Sequence, residues 1–135
     1  MKKMTRTIAA IVFCIYIAAV MVLCFMKTDN LPQPSFLILG IEADKVAHFL
    51  MFAPFPLLSY MVAAGAWKKP WHHFMLLGCL MLLGVAAAMA TEQVQTLLTY
   101  RTGDVRDTTA DTYGIVAGGL LTAAYILHKT KKGNR

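Results

Sequence analysis

The stretch that decides the fold is IAAIVFCIYIAAVMVLCFM, which runs from Ile8 to Met26. It contains no charged residue, and a helix of about 20 apolar residues spans the hydrocarbon core of a bilayer. Basic residues precede it, as in a signal peptide, but the apolar run is longer than a signal peptide needs and no small-x-small cleavage site follows it. We therefore predict that this stretch is a retained transmembrane helix.

Three further apolar blocks follow along the chain, at Val46–Trp67, Phe74–Ala90 and Tyr113–Leu127. The chain is 58% hydrophobic and 15% charged, whereas soluble domains average about 45–50% and about 25%. Its 135 residues leave room for one domain. The sequence predicts a single all-α domain over residues 1–135, an integral membrane four-helix bundle with helices at about 7–26, 45–66, 73–98 and 105–128.

Prolines and glycines inside the blocks predict how the helices are shaped and packed. Pro54 and Pro56 are expected to bend the second helix and to free backbone carbonyls, because proline has no N–H. Gly114 and Gly118 form a small-xxx-small pair that allows another helix to approach closely.

The basic residues predict how the chain is oriented. With four spans, nine of the 13 lysines and arginines fall on the side of the termini: Lys2, Lys3, Arg6, Lys68, Lys69, Lys129, Lys131, Lys132 and Arg135. The positive-inside rule then places both termini in the cytoplasm of a cell whose inner membrane holds the protein. Since the positive charge belongs to one membrane face, the expected partner is the bilayer and no nucleic acid.

All seven acids fall on the opposite, outer side, together with four basic residues, for a formal charge of −3. Acids contribute little to topology, so insertion alone does not explain this segregation. The densest stretch is EQVQTLLTYRTGDVRDTTAD, residues 92–111. We interpret it as the outer rim of a polar pocket.

Spacing indicates which side chains share a face in this pocket. Asp44 and His48 are four residues apart, and Glu92 and Gln95 are three apart, so each pair lies on one helix face. Glu92 sits near a helix C-terminus, where the helix dipole disfavours a negative charge, which suggests a partner or a function.

The start of the fourth helix contributes the remaining acids. Asp104 follows Gly103 as an expected N-cap, and Asp107 stands at the third helical position. Asp111 lies two turns inside the helix, where a buried charge calls for compensation. The predicted ligand-binding residues are Asp44, Lys45, His48, Glu92, Gln95, Arg101, Asp104, Asp107 and Asp111.

The order of these motifs resembles the VanZ-like family of small membrane proteins. The pattern reads DKxxH at Asp44–His48, ExxQ at Glu92–Gln95, then Arg101, DxxD at Asp104–Asp107, and Gly114 with Gly118. The match covers roughly residues 40–120, and it departs from the family where Asp111 replaces the usual Asn. The family is named for a protein that gives low-level teicoplanin resistance. The resemblance therefore implies an outward-facing site that acts on, or shields, envelope lipids or peptidoglycan precursors.

Three functions remain open at this point. The first is binding of an amphiphilic envelope lipid or glycopeptide ligand, with Arg101 holding a phosphate or carboxylate. The second is an intramembrane hydrolase in which His48, Glu92, Asp107 and Asp111 hold a divalent metal. The third is a small multidrug transporter. No HExxH or GxSxG motif is present, so binding is favoured over catalysis and no cofactor is required.

Overall fold

The computed structural model describes residues 3–26, 37–38, 41–67, 69–98 and 104–133. Five helices carry this part of the fold: α1 (Lys3–Phe25), α2 (Ala43–Phe52), α3 (Phe55–Ala63), α4 (Pro70–Leu97) and α5 (Val105–Gly133). A short antiparallel pair, β1 (Leu37–Ile38) and β2 (Ile41–Glu42), leads into α2, with Leu37 opposite Glu42.

The predicted all-α fold with four membrane-spanning helices is confirmed. The described chain has four helical segments long and apolar enough to cross a membrane, namely Met4–Phe25, Ala43–Ala63, Pro70–Leu97 and Val105–Lys131. The second of these is α2 and α3 together. Large apolar side chains such as Ile15, Leu82 and Leu121 are exposed, as expected for faces that contact lipid tails. The protein is therefore a multi-pass membrane protein.

The helices alternate in direction, so each end of the bundle gathers specific helix ends. Arg6 at the start of α1 donates from Nε to the carbonyl of Val62 near the end of α3, at 2.8 Å. At the other end, Gln95 near the end of α4 donates to the carbonyl of Cys24 near the end of α1, at 2.7 Å. We call this second end, where α2 and α5 begin, the cluster end.

Helix α5 packs against α2, α3 and α4 and is the central element of the bundle. Ile115 on α5 and Ala88 on α4 are fully buried in one apolar core, together with Phe52 from the end of α2. A second core, around Tyr60, Leu77 and Ile126, lies farther from the cluster end.

The second span is interrupted at the prolines, and we call this interruption the bend. Helix α2 ends at Phe52 and α3 begins at Phe55, with Pro54 between them. The Tyr16 hydroxyl on α1 donates to the carbonyl of Met51 at 2.6 Å, so a backbone acceptor beside the bend is satisfied by a neighbouring helix.

The two glycines expected to allow close packing lie against this bend. A Cβ at Gly114 would overlap the carbonyl oxygen of Phe49, and a Cβ at Gly118 would overlap that of Ala53. Backbone cannot move aside as a flexible side chain can. The approach of α5 to the bent span therefore requires glycine at both positions.

We predict that Gly118→Ala lowers the stability of the protein by about 1–3 kcal/mol, the usual cost of inserting atoms into a packed interior. Gly78→Ala is the matched control, because a Cβ at Gly78 meets nothing within 4 Å. Thermal unfolding in detergent should show a lower midpoint for Gly118→Ala only. Equal midpoints for the two variants would show that α5 is not tightly packed on the junction between α2 and α3.

Candidate functional site

The cluster end carries a group of polar side chains that we call the polar cluster: Asp44, Lys45, His48, Glu92, Asp104, Asp107 and Asp111. They come from the first two turns of α2, the last turns of α4 and the start of α5. His48, Glu92, Asp107 and Asp111 are buried, with 3%, 9%, 7% and 2% of their surface exposed. Buried polar groups are costly unless they are paired, so their contacts decide what the site can do.

Lys45 is the main cation of the polar cluster. Its Nζ lies 2.9 Å from Asp104 Oδ2, 3.3 Å from Asp44 Oδ2 and 3.7 Å from Glu42 Oε2, and it forms a short ion pair with Asp107. Only 13% of the Lys45 side chain is exposed. The lysine therefore turns back toward the bundle and joins the start of α2 to the start of α5.

His48 lies between two acids of α5. Its Nδ1 is 2.9 Å from Asp111 Oδ1, and its Nε2 is 3.5 Å from Asp107 Oδ2. A protonated imidazole would donate to Asp111 and form an ion pair with Asp107, whereas a neutral one has a single N–H to offer. The shorter contact makes Asp111 the principal partner of His48, and this contact supplies the compensation that a carboxylate two turns inside α5 requires.

Asp104 caps α5 as the sequence predicted. The helix begins at Val105, and Asp104 Oδ1 accepts the backbone N–H of Arg106 at 2.9 Å. This hydrogen bond, with the ammonium of Lys45 beside it, holds the pKa of the Asp104 carboxyl below its ordinary value. Asp104 is therefore ionised at neutral pH. It caps the N-terminus of α5 and pairs with Lys45 of α2.

Glu92 is the carboxylate whose contacts are incomplete. Its neighbours include the backbone N–H of Asp104 and the titratable side chains of Asp107, His48 and Asp111. Its Oε1 atom is buried and has no hydrogen-bond partner among the described residues. A buried acceptor left in this state costs about 1–3 kcal/mol, so Glu92 offers the site a position for a donor.

Gln95 takes a different part from Glu92, although the two share a helix face. It is 2% exposed, and its amide donates to the Cys24 carbonyl on α1. Its described contact therefore fastens α4 to α1. Sequence reasoning had no signal for this partner, because a backbone carbonyl at a helix end carries no side-chain signature.

The remaining two predicted site residues are Asp44 and Arg101. Asp44 is exposed and contacts the cluster through Lys45. Arg101 lies outside the described residues. The structure thus brings together Asp44, Lys45, His48, Glu92, Asp104, Asp107 and Asp111, with Gln95 directed toward α1.

Three residues of the polar cluster also have the donor types of a metal site. Asp44, His48 and Asp107 each place one ligand atom within 4.8 Å of the others. Two carboxylates and an imidazole suit divalent cations. However, the ammonium of Lys45 already contacts both of these carboxylates, so a metal ion there would have to displace it or be repelled by it.

We predict that Lys45→Met destabilises the protein by about 3–5 kcal/mol, because removing one partner of a buried ion pair leaves the other charge uncompensated. Asp107→Asn should recover part of this loss when both changes are combined. Equilibrium unfolding in mixed detergent micelles measures the coupling through a double-mutant cycle. Lys129→Met, at an exposed lysine on α5, is the control. Strict additivity of the Lys45 and Asp107 effects would contradict the pairing.

Comparison with known proteins is consistent with the motif order on which the polar cluster is built. The model of the VanZ/LLP1 family matches residues 13–127, which include all four spans at least in part and every residue of the polar cluster. Neither the curated proteins nor the solved structures gave a match. With the family model covering most of its length, the chain belongs to the VanZ/LLP1 family.

Proposed function

We propose that the polar cluster binds the polar head of an amphiphilic cell-envelope molecule, and that this binding gives low-level resistance to teicoplanin. The observation that carries the proposal is the buried Oε1 atom of Glu92, which lacks a donor among the described residues and neighbours three other titratable side chains. A hydroxyl or ammonium group of a ligand would supply that donor.

The charge of the site supports a ligand head with a positive group. Among the described residues near the cluster end, the acids are Glu42, Asp44, Glu92, Asp104, Asp107 and Asp111. The permanent cations there are Lys45 and Arg106, so negative charge is in excess. Arg101 is proposed to hold a phosphate or carboxylate on the same ligand, since its planar fork fits such groups.

The proposed orientation follows from the basic residues on the side of the termini. If both termini lie in the cytoplasm of the inner membrane, the cluster end faces outward, where envelope lipids, peptidoglycan precursors and glycopeptides are found. The family membership supports this proposal, because the family takes its name from a teicoplanin-resistance protein.

The decisive experiment is to express the chain in a glycopeptide-sensitive Gram-positive host and to measure inhibitory concentrations of teicoplanin and vancomycin. We expect the wild type to raise the teicoplanin value several-fold. Glu92→Gln and Asp107→Asn should lose this effect, because each removes a charge that the ligand head would meet.

Gln93→Ala is the matched control, since Gln93 is the exposed neighbour of Glu92 on α4. Membrane abundance of all variants is equalised by immunoblotting. If Glu92→Gln and Asp107→Asn protect as well as the wild type at equal abundance, the polar cluster is structural and the proposed function is wrong.

A second candidate function is a metal-dependent hydrolase of an envelope lipid, favoured by the grouping of Asp44, His48 and Asp107. These residues would hold a divalent cation, and such an ion activates water toward a phosphate or amide. We expect Mn²⁺ titration of the purified protein, followed by electron paramagnetic resonance, to show one site that His48→Asn removes and Gln93→Ala retains. Equal binding by both variants would exclude this metal site.

A further inference from the structure

An apolar groove lies between α2 and α5, directly beside the polar cluster. It has a volume of about 410 Å³, within the range of about 300–1,000 Å³ that is typical of ligand sites. Its lining includes Val46 and Phe49 on α2 and Thr109, Ala110 and Tyr113 on α5. The groove is open rather than enclosed, and its walls are almost entirely apolar.

Lys45 connects this groove to the polar cluster. Its side chain lines the groove, while its Nζ contacts the carboxylates of Asp104 and Asp107. The apolar wall of the groove therefore adjoins the buried charges of the polar cluster, and the two are separated by the length of one lysine side chain. That sequence of environments matches a lipid, in which a hydrocarbon chain adjoins a charged head.

The depth of the groove also suits a lipid. Its lining on α5 extends from Thr109 to Tyr113, and Tyr113 lies eight residues after Val105, where α5 begins. At 1.5 Å per residue this distance is about 12 Å, less than half of the hydrocarbon thickness. The groove therefore receives the part of an acyl chain nearest its head and stays within one leaflet.

We propose that the groove binds an acyl chain of a membrane lipid whose head carries a protonated primary amine. The head is selected by charge, because the excess of carboxylates at the cluster end attracts an ammonium and repels an anionic head. The ammonium would meet the carboxylates of Asp44 and Asp104, which lie beside Lys45 and whose side chains are 53% and 43% exposed. This inference rests on the proposed function and names the class of its ligand.

The test uses the full-length protein in nanodiscs that contain a trace of phosphatidylethanolamine with a diazirine in its acyl chain, close to the head. After illumination, mass spectrometry of peptides locates the labelled residues. We expect label on Val46, Phe49, Ala110 and Tyr113. Unlabelled phosphatidylethanolamine should compete several-fold better than phosphatidylglycerol, which has an anionic head without an amine.

Variants separate the groove from the head site. Thr109→Trp and Val46→Trp fill the groove from α5 and α2, and each should lower the labelling several-fold. Leu121→Trp is the matched control, because Leu121 is exposed on α5 away from the groove. Asp44→Asn should reduce the preference for the amine-bearing competitor. Thermal midpoints in detergent verify that the variants are folded.

Two results would overturn the inference. Labelling of the groove no stronger than that around Leu121 would show that no chain is bound there. Equal competition by both lipids would show that the head amine is not recognised. The resistance assay decides the proposed function separately. If Glu92→Gln abolishes resistance while Thr109→Trp and Val46→Trp leave it intact, the proposal for the groove is wrong and the proposal for the polar cluster is retained.

Discussion

The ion pairs of Lys45 are the interaction on which the cluster end depends. Charged groups buried in a membrane protein are usually paired, and Lys45 contacts four carboxylates from both sides of the seam between α2 and α5. These contacts hold the start of α2 against the start of α5, which also brings His48 within reach of Asp107 and Asp111. A single side chain therefore aligns the seam and neutralises part of the site.

Close packing of the same two helices makes this geometry possible. The carbonyls of Phe49 and Ala53 lie against α5, and Gly114 and Gly118 leave room for them. Tyr16 on α1 donates to Met51 beside the bend, so the irregular backbone stays satisfied in an apolar surrounding. The bend, the glycines and the buried charges thus form one arrangement along the α2–α5 seam.

Not all of the polar residues at the cluster end have the same relation to a ligand. Asp104 and Gln95 have contacts that already explain them, one as a helix cap and the other as a tie between α4 and α1. Glu92 differs, because one of its carboxylate oxygens is buried without a donor among the described residues. Glu92 and the excess of negative charge around it are therefore the features of the cluster end that the described contacts do not explain.

The sequence by itself determined the four spans, the interruption at the prolines and the cap at Asp104, because hydropathy, proline chemistry and helical spacing are local properties. It also predicted the seven residues that the structure gathers in the polar cluster, but it placed Gln95 with them. Arg101 lies outside the described residues and stays a prediction. Only the tertiary structure decided which groups pair. From the sequence, Lys45 could equally have reached toward the membrane surface or entered the polar cluster. Gln95 could equally have faced the polar cluster or Cys24. Those choices, and the groove beside Lys45, depend on the approach of helices distant in the chain, which no local pattern encodes.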